Sequence, residues 1–334
     1  MHVNINLSKK ILGWYDNNKR ALPWRVGKNS KDKAYYRLLS EFMLQQTQVK
    51  TVIPYFKKFI AKYPSLESLS KCDEEEILKH WEGLGYYRRA RNLLATTKIL
   101  VNEKKSIIPK TFKELKKLPG VGDYTANALL GLIHDQPTIA LDGNVKRVFS
   151  RILNKKENLI DFQKIIEKNK KRLFYNRRNS DFVEAMMEFG ALICKPKSPD
   201  CPNCDIKNIC ISNKLKKNFN IKLNKQIKEK KYDIFCYLNK KKKQIALTKK
   251  NKLGFLNNFI LPEIKETKKR VINKNWKLLI NYNKFISNKK LKIYLYYKFS
   301  NKIPVNFSWY SLKDKKIFIP TFTKIIFKHL SKVY

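Results

Sequence analysis

Four of the six cysteines in this 334-residue chain fall within one short segment, CKPKSPDCPNCDIKNIC, residues 194–210. Their spacing is C-x6-C-x2-C-x5-C, and they are Cys194, Cys201, Cys204 and Cys210. Four thiolates this close together suit a zinc ion or a [4Fe–4S] cluster. A structural zinc site usually has two short Cys-x2–4-Cys pairs, and only one, Cys201 and Cys204, is present here. The longer x6 and x5 spacings favour the bulkier iron–sulfur cluster. Zinc is kept as the alternative, and Cys72 and Cys236 are expected to be core residues.

A second segment with possible chemistry is LPGVGDYTA, residues 118–126. The two glycines around Val121 predict a tight turn between helices, in which the backbone N–H groups of Gly120, Val121 and Gly122 can approach a phosphate. The alternative is a tight helical connection that binds nothing. Asp123 would either repel a phosphate or cap the next helix, and the sequence leaves both open.

The elements that position these groups are predicted to be helices up to residue 210. Apolar residues recur there at helical spacing, and prolines punctuate the segments. TANALLGLI (125–133) and SDFVEAMMEFGALI (180–193) are predicted to be buried helices.

A polar, basic linker is predicted at 212–230. After it, the spacing of apolar residues changes from the helical period to the short, alternating runs that are typical of strands. YDIFCYL (232–238) and QIALTK (244–249) predict a hairpin, and KLKIYLYYKF (290–299) predicts a further strand. FTKIIFKHLSKVY (322–334) predicts a C-terminal helix. The C-terminal part is therefore expected to be a small α/β domain.

The chain is strongly basic, with a formal net charge of +46, and the part from Ile211 onward holds 33 basic and 5 acidic residues. A polyanion, first of all nucleic acid, is the expected partner. The alternative is that the Lys-, Asn- and Ile-rich composition reflects an AT-rich genome. With neither an apolar run of membrane length nor a signal-peptide pattern, a cytoplasmic, nucleoid-associated protein is expected. In that reducing compartment clustered cysteines bind metal rather than pair.

Several motifs resemble one known family. The cysteine spacing resembles the loop that ends the catalytic domain of endonuclease III-like DNA glycosylases, and LPGVG resembles their helix–hairpin–helix. Four longer stretches, over residues 7–210, are similar to the A/G-specific adenine DNA glycosylases: LPWR (22–25), SEFMLQQTQV (40–49), GLGYYRRAR (83–91) and LDGNVKRV (141–148). Between Trp24 and Glu41 the spacing is longer than in typical members, which predicts a surface loop around GKNSKDK.

The resemblance implies a mainly α catalytic domain, a helix–hairpin–helix glycosylase with an iron–sulfur loop, followed by a small α/β, Nudix-like domain. The expected boundaries are 1–211 for the glycosylase, 212–230 for the linker and 231–334 for a divergent lesion-recognition domain. Within the first domain, a six-helix module is expected at 27–136. The iron–sulfur subdomain is expected at 1–26 plus 137–211.

The implied activity is excision of adenine mispaired with 8-oxoguanine or guanine in double-stranded DNA. Tyr124 stands where bifunctional relatives have a lysine that attacks the sugar, so a monofunctional enzyme is expected. Glu41 is expected to be buried, to have a raised pKa and to protonate the flipped adenine. Asp142 is expected to stabilise the oxocarbenium-like sugar, with Asn144 orienting water or the acid. The alternatives are a solvated Glu41 and a purely structural Asp-Gly turn.

The resemblance also implies residues that recognise the mispair. Gln46 and Tyr86 are implied as a wedge beside it, although Tyr86 could instead pack at a helix end. The residues implied for the flipped adenine are Trp24, Arg25, Leu44 and Glu184. A buried salt bridge is the alternative for Glu184. Three arginines of GLGYYRRAR are expected to be solvated or to face phosphates: Arg88, Arg89 and Arg91.

In the C-terminal part the resemblance is weaker. GFLNNFILP (254–262) resembles a degraded Nudix-like stretch, and the catalytic Nudix box is absent, so no pyrophosphatase is expected. FISNKKL (285–291) keeps Ser287 of the family's lesion-reading loop, with Asn288 where histidine is usual, which leaves the preference for 8-oxoguanine over guanine open. A monomer is expected. A thymine- or pyrimidine-specific glycosylase and a DNA-binding protein with lapsed catalysis are the alternatives.

Overall fold

The computed structural model describes residues 6–25, 32–174, 177–215, 228–249, 256, 259–267, 275–286, 289–311 and 319–333. The chain divides into two compact units, Met1–Lys222 and Leu223–Tyr334. No helix among these described residues is long and apolar enough to span a membrane.

The regular secondary structure among the described residues of the first unit is entirely helical, which confirms the predicted mainly α character. Its helices are α1 Asn6–Asn18, α2 Lys33–Leu44, α3 Val49–Lys62, α4 Leu66–Ser70, α5 Glu74–His80, α6 Arg88–Lys104, α7 Phe112–Leu115, α8 Asp123–His134, α9 Gly143–Leu153, α10 Phe162–Lys168, α11 Lys170–Leu173, α12 Asn179–Leu192 and α13 Ile211–Lys214. Glu157–Leu159 and Lys207–Ile209 form single 3₁₀ turns.

The predicted buried helices at 125–133 and 180–193 are confirmed as α8 and α12. Both are rich in small and apolar residues, and Ala128 of α8 packs in one buried cluster with Val183 of α12. α12 also joins α1 and α9 in a larger core, in which Leu7, Val145 and Phe189 are fully buried. α12 therefore lies at the centre of the unit and can carry side chains towards both neighbours.

The second unit is a mixed sheet with a terminal helix, as the predicted α/β domain required. Its described elements are β1 Lys228–Asn239, β2 Gln244–Leu247, β3 Glu263–Glu266, β4 Lys277–Ile286, β5 Lys289–Phe299, β6 Ser308–Ser311 and α14 Thr321–Leu330. The strand order is β4-β5-β1-β2-β6, and β3 also pairs with β1. The buried face of β1 carries Ile234, Cys236 and Leu238.

The predicted hairpin is confirmed, because β1 and β2 pair antiparallel with Leu238 opposite Ile245. The predicted strand at 290–299 is β5, which runs parallel to β1 with Ile234 opposite Leu295. The C-terminal helix is also confirmed, although it begins at Thr321 and ends at Leu330. Cys72 and Cys236 are both buried, as expected of core residues.

The two units divide between Lys222 and Leu223, within the predicted linker at 212–230, and both described ends of that segment have secondary structure. Residues 211–214 form a turn of helix, and β1 begins at Lys228 because its first residues pair with Lys289 and its successors on β5. Residues 216–227 lie outside the described residues. So do 26–31, where the extra surface loop was predicted, and Ser287, Asn288 and most of 254–262. These predictions, like the remaining domain boundaries, stay predictions.

Candidate active site

Glu41 lies on α2 and is buried, with 5% of its surface exposed. The apolar residues at helical spacing around it place this face of α2 inside the unit. Its Oε2 atom has no hydrogen-bond partner among the described residues. Burial raises the pKa of Glu41 from its ordinary value of 4.5 to about 7, against the opposing effect of the Arg37 charge. The expected burial is confirmed, and near neutral pH this carboxyl can hold a proton that it can donate.

Tyr124 lies on α8 and faces the same carboxyl. Its hydroxyl interacts with Glu41 and also lies 3.8 Å from Sδ of Met187 on α12. Burial first, and then the charges of Glu41 and Asp142, raise the pKa of Tyr124 well above its ordinary value. Tyr124 is therefore a neutral hydrogen-bond donor between two carboxyl groups, and it has no amine.

Asp142 is the N-cap residue of α9. Its Oδ1 accepts a hydrogen bond from the Val145 N–H at 2.7 Å, and its Oδ2 accepts one from Nδ2 of Asn144 at 2.9 Å. The two donors fix the orientation of the carboxyl group. Asp142 also lies close enough to Glu41 to influence its pKa. Two carboxyl groups from distant segments of the sequence therefore converge, and the LDGN segment is both a helix cap and part of the site.

Asn144 is held from two sides. Its Oδ1 accepts a hydrogen bond from Nη2 of Arg147 at 2.8 Å, and the same nitrogen donates to the Gly190 carbonyl at 2.7 Å. Nε of Arg147 donates to the Cys194 carbonyl at 2.8 Å. On the other side, a Cβ on Gly190 would lie 2.7 Å from Cβ of Asn144, so α12 approaches α9 only because this residue is glycine. Asn144 has little freedom to move.

Glu184 on α12 forms the buried ion pair that was the alternative to an adenine contact. Its carboxylate pairs with Arg37 and, at 2.8 Å, with Nε of Arg25, and it accepts a hydrogen bond from the Tyr15 hydroxyl. Arg25 also reaches Glu188 at 3.1 Å. A role for Glu184 and Arg25 in contacting adenine stays a prediction.

The sequence interpretation missed three members of this network: Tyr15, Arg20 and Arg37. Arg37 precedes Glu41 by four residues on one helix, and that i, i+4 spacing was a usable signal. Arg20 pairs with Glu188 at 2.5 Å, and Tyr15 reaches α12 from α1. No local pattern relates residues so far apart in the chain.

The other residues implied for adenine have different environments. Trp24 is buried, and its ring packs edge-on against Phe56 with centroids 5.3 Å apart. Leu44 is half-buried and is the last residue of α2. Their contact with a flipped base stays a prediction.

The two implied wedge residues, Gln46 and Tyr86, are exposed on loops that flank α2 and α6. Both have left-handed backbone angles, with φ of 57° and 48°. Tyr86 is 40% exposed, and its ring centre lies 5.6 Å from the buried guanidinium of Arg89. The wedge role stays a prediction, with packing at the helix end as its alternative.

The expectation that all three arginines after Tyr86 are solvated or face phosphates is wrong for Arg89. Arg88 is exposed, and Arg91 pairs with Glu74 at 2.6 Å. Arg89 is 6% exposed, and its guanidinium donates to the carbonyls of Met43 at the end of α2 and of Gly85 before α6.

The LPGVG segment forms the turn between α7 and α8. Gly120 has φ of 79°, and a Cβ there would lie 2.8 Å from Asn92, so this position requires glycine. Gly122 is the N-cap residue of α8. Asp123 does not cap the helix; it is the first helical residue, and its carboxylate pairs with Lys116 at 2.5 Å. The Val121 N–H donates to the Leu118 carbonyl at 3.1 Å, and the acidic charge of Asp123 beside the turn has a cationic partner in Lys116.

All four clustered cysteines line one cavity of about 570 Å³, together with Arg151 and Lys197. None is in a disulfide. Nη1 of Arg151 lies 3.3 Å from Sγ of Cys194 and would face negative charge on the thiolates. Within the described residues, no group of three or more His, Cys, Asp or Glu side chains is arranged to hold a metal ion. The cavity places four sulfur donors beside one cation, and four thiolates are a donor set that suits zinc or an iron–sulfur cluster.

Comparison with known proteins agrees with these features. Residues 39–173 match the family described as HhH-GPD superfamily base excision DNA repair protein. The chain is 36% identical to an adenine DNA glycosylase of Buchnera aphidicola subsp. Baizongia pistaciae, over 95% of each chain. It is 40% identical to the adenine DNA glycosylase of Mus musculus, over 60% of this chain and 40% of the relative.

Among solved structures, the chain resembles a thermostable thymine-DNA glycosylase with a TM-score of 0.56 and 26% identity, covering 63% of this chain and 95% of the other. It also shares the fold of a trapped endonuclease III–DNA covalent intermediate, with a TM-score of 0.52, 24% identity and coverage of 64% and 99%. Because the Buchnera relative is 36% identical over 95% of this chain, the chain belongs to the adenine DNA glycosylase family.

Proposed function

We propose that this enzyme is a monofunctional glycosylase that removes adenine from mispairs with 8-oxoguanine or guanine in double-stranded DNA. Family membership makes it a DNA glycosylase of base excision repair that acts on adenine. The observation that carries the finer proposal is the buried Glu41, whose Oε2 lacks a partner among the described residues and whose pKa is about 7. A protonated acid in this position suits the expulsion of a poor leaving group.

The proposed reaction begins when adenine is extruded from the duplex into the site. Glu41 transfers its proton to N7 of adenine, the C1′–N9 bond breaks, and its electron pair leaves with the base. Asp142 stabilises the positive charge that develops on the sugar. A water molecule, oriented by Asn144, adds to C1′ and passes a proton to the Glu41 carboxylate, which restores the acid. The products are free adenine and an abasic site.

Tyr124 supports the monofunctional assignment. A lyase of this superfamily needs an amine that forms a Schiff base with the sugar. Tyr124 instead presents a neutral hydroxyl to Glu41. In the proposed mechanism it orients the acid and borders the pocket, so the abasic strand stays intact.

Recognition of the mispair is proposed to use three sets of residues. Gln46 and Tyr86 enter the duplex, and the turn formed by Gly120, Val121 and Gly122 holds a backbone phosphate. The residues proposed to surround the flipped adenine are Trp24, Arg25, Leu44 and Glu184.

We also propose that Cys194, Cys201, Cys204 and Cys210 hold one [4Fe–4S] cluster. The support is the shared cavity with four sulfur donors and the adjacent Arg151. When bound, the cluster supplies iron–thiolate bonds that fold the loop bearing Lys195 and Lys197. Protein produced without oxygen should be brown, with broad visible absorption and about four irons per chain. A colourless protein with one zinc would contradict this assignment.

The second unit is proposed to be a divergent Nudix-like domain that inspects 8-oxoguanine. The support is its mixed sheet with a terminal helix and the family's lesion-reading serine, Ser287, between β4 and β5 in the sequence. The enzyme is proposed to act as a monomer.

The deciding experiment uses duplexes with adenine opposite 8-oxoguanine, guanine or thymine, and one with thymine opposite guanine. Strand cleavage at adenine only after alkali, opposite 8-oxoguanine and guanine, is the expected result. Cleavage without alkali would contradict the monofunctional assignment. Release of thymine from the thymine–guanine duplex, without release of adenine, would support the pyrimidine-specific alternative.

A further inference from the structure

The loops that carry Gln46 and Tyr86 both have unfavourable backbone conformations. Gln46 has φ of 57° and Tyr86 has φ of 48°, and Gly85 before it has φ of 70°. A residue other than glycine in this region costs about 1–3 kcal/mol, and such a conformation persists only when its surroundings hold it. Something in the structure must therefore fix both loops.

Arg89, in the first turn of α6, contacts both loops at once. Its Nη1 donates to the carbonyls of Met43 and Gln45, each at 2.6 Å, at the end of α2. Its Nη2 donates to the carbonyls of Leu84 and Gly85, each at 3.2 Å. The two terminal nitrogens of one guanidinium therefore donate hydrogen bonds to two separate loops.

The chemistry of this contact is specific to arginine. The last carbonyls of α2 are the negative end of the helix dipole, and a buried cation there is favourable. The planar guanidinium has donors on two nitrogens that point to different sides, whereas a lysine ammonium is a single point of charge. The guanidinium also lies 5.6 Å from the centre of the Tyr86 ring and 5.5 Å from that of Trp81.

We infer that Arg89 is a positioning residue that holds the Gln46 loop and the Tyr86 loop in one geometry, so that the two side chains enter DNA as a single preformed wedge. The inference rests on the proposed role of Gln46 and Tyr86. Opening a base pair costs a few kcal/mol, and a wedge that must first order itself would add to that cost. Arg89 itself contacts backbone carbonyls and the rings of Trp81 and Tyr86, and it acts on DNA only through the two loops.

The first test measures amide hydrogen exchange in the free protein, without reference to any activity. Arg89→Lys is compared with Arg88→Lys, which makes the same change at the exposed neighbouring residue. Exchange in peptides covering 44–48 and 83–87 should accelerate together in Arg89→Lys, by about tenfold or more, and stay unchanged in Arg88→Lys. Acceleration confined to 83–87, next to the substituted residue, would overturn the inference that Arg89 joins the two loops.

The second test follows DNA opening with 2-aminopurine placed beside the mispaired adenine, since its fluorescence rises when it unstacks. Arg89→Lys should lower the opening rate by at least about tenfold, whereas Arg88→Lys should not. In a Gln46→Ala/Tyr86→Ala background, where no wedge remains, Arg89→Lys should cost less than about twofold. An equal loss in both backgrounds would show that Arg89 supports the fold and does not position the wedge.

The two readouts separate failure of this inference from failure of the proposed function. If the unsubstituted protein opens no mispair, the proposed wedge is wrong, and coupled exchange of the two loops still decides whether Arg89 joins them. If Arg89→Lys does not fold, Arg89→Gln keeps the aliphatic stem and one amide donor group, and the same exchange comparison applies. Independent exchange of the two loops in that variant would likewise overturn the inference.

Discussion

At the scale of single residues, the environment of Glu41 decides its chemistry. Burial favours its protonated form, and the nearby Arg37 opposes this only in part. The result is an acid whose pKa of about 7 is close to neutral pH, where a general acid is most effective. The carboxyl oxygens of Asp142 accept hydrogen bonds from two donors. This residue is suited to stabilising positive charge on the sugar, the role proposed for it.

Excision should therefore depend on the protonated form of Glu41. With a pKa of about 7, the acid form falls by about tenfold between pH 6 and pH 8, and the single-turnover rate should fall with it. Glu41→Gln should keep its affinity for mispaired DNA, lose about 10²–10⁴ in rate and show no such pH dependence. Quenched single-turnover assays measure this. Glu103→Gln on the exposed face of α6 is the control, and full activity of Glu41→Gln would refute the acid assignment.

The same pKa also predicts a stability effect. The pKa of Glu41 is higher in the folded protein than its ordinary value of 4.5, so stability is fully retained below pH 4.5 and is lost as pH rises through about 7. The loss is on the order of 3 kcal/mol above pH 7. Glu41→Gln should therefore unfold at higher urea than the unsubstituted protein at pH 8, and this difference should vanish near pH 4.5. An equal difference at both pH values would be inconsistent with a raised pKa.

The sequence correctly predicted the burial of Glu41 but not that of Arg89. Burial of Glu41 follows from its apolar neighbours on one helix, which the sequence displays. Arg89 has the same residue type and motif as Arg88, but its partners are carbonyls brought together only by folding. Glu184 shows the same limit, because its partner Tyr15 comes from the first helix of the chain.

At the scale of elements, the contact between α9 and α12 positions the site. Asn144 at the start of α9 lies directly against Gly190 of α12, and Arg147 ties both to the cysteine loop. The position of Asn144 therefore depends on the distance between two helices.

Gly190→Ala should push these helices apart or displace Asn144. Its Cβ would lie 2.7 Å from Cβ of Asn144, an overpacking that typically costs about 1–3 kcal/mol. The excision rate should also fall, because Asn144 shifts from Asp142. Thermal unfolding and single-turnover excision measure the two effects. Gly13→Ala in α1 is the control: no atom lies within 4 Å of its Cβ, and it should stabilise the helix by about 0.5–1 kcal/mol.

Element prediction followed the strength of the sequence pattern. α8, α12, β1, β2 and β5 were predicted because each has clear helical or alternating periodicity. β3 and β6 have four residues each, too few to show a period, and KLLINYNKFI of β4 mixes asparagine and lysine into its alternation. The parallel pairing of β1 with β5 joins segments about fifty residues apart, and no local signal specifies it.

At the scale of the whole molecule, the uneven charge is the main feature. The part of the chain from Ile211 onward has 33 basic and 5 acidic residues, so long-range attraction to DNA should come largely from it. Basic side chains that neutralise DNA phosphates release counterions, so the salt dependence of binding shows whether these charges contact DNA or only reflect composition.

The turn between β1 and β2 offers a direct test in the full chain. Lys241 and Lys242 are exposed there. If both neutralise phosphates, Lys241→Gln/Lys242→Gln should reduce the slope of log Kd against log salt concentration by up to about 1.8. Lys241→Arg/Lys242→Arg, which keeps the charge, should leave the slope as it is. Equal slopes for the Gln pair and the unsubstituted protein would assign these charges to composition.

The close approach at Gly190 also bears on how this sequence can change over time. Glycine makes up 10 of 334 residues, about 3% against an average near 7%, in a chain rich in lysine, asparagine and isoleucine. Space is open for a side chain at Gly13 but not at Gly190. Compositional drift can therefore proceed freely at the first position, whereas at the second any replacement must be matched by a change in the helix it touches. Divergence of this enzyme has a geometric limit where α12 meets α9.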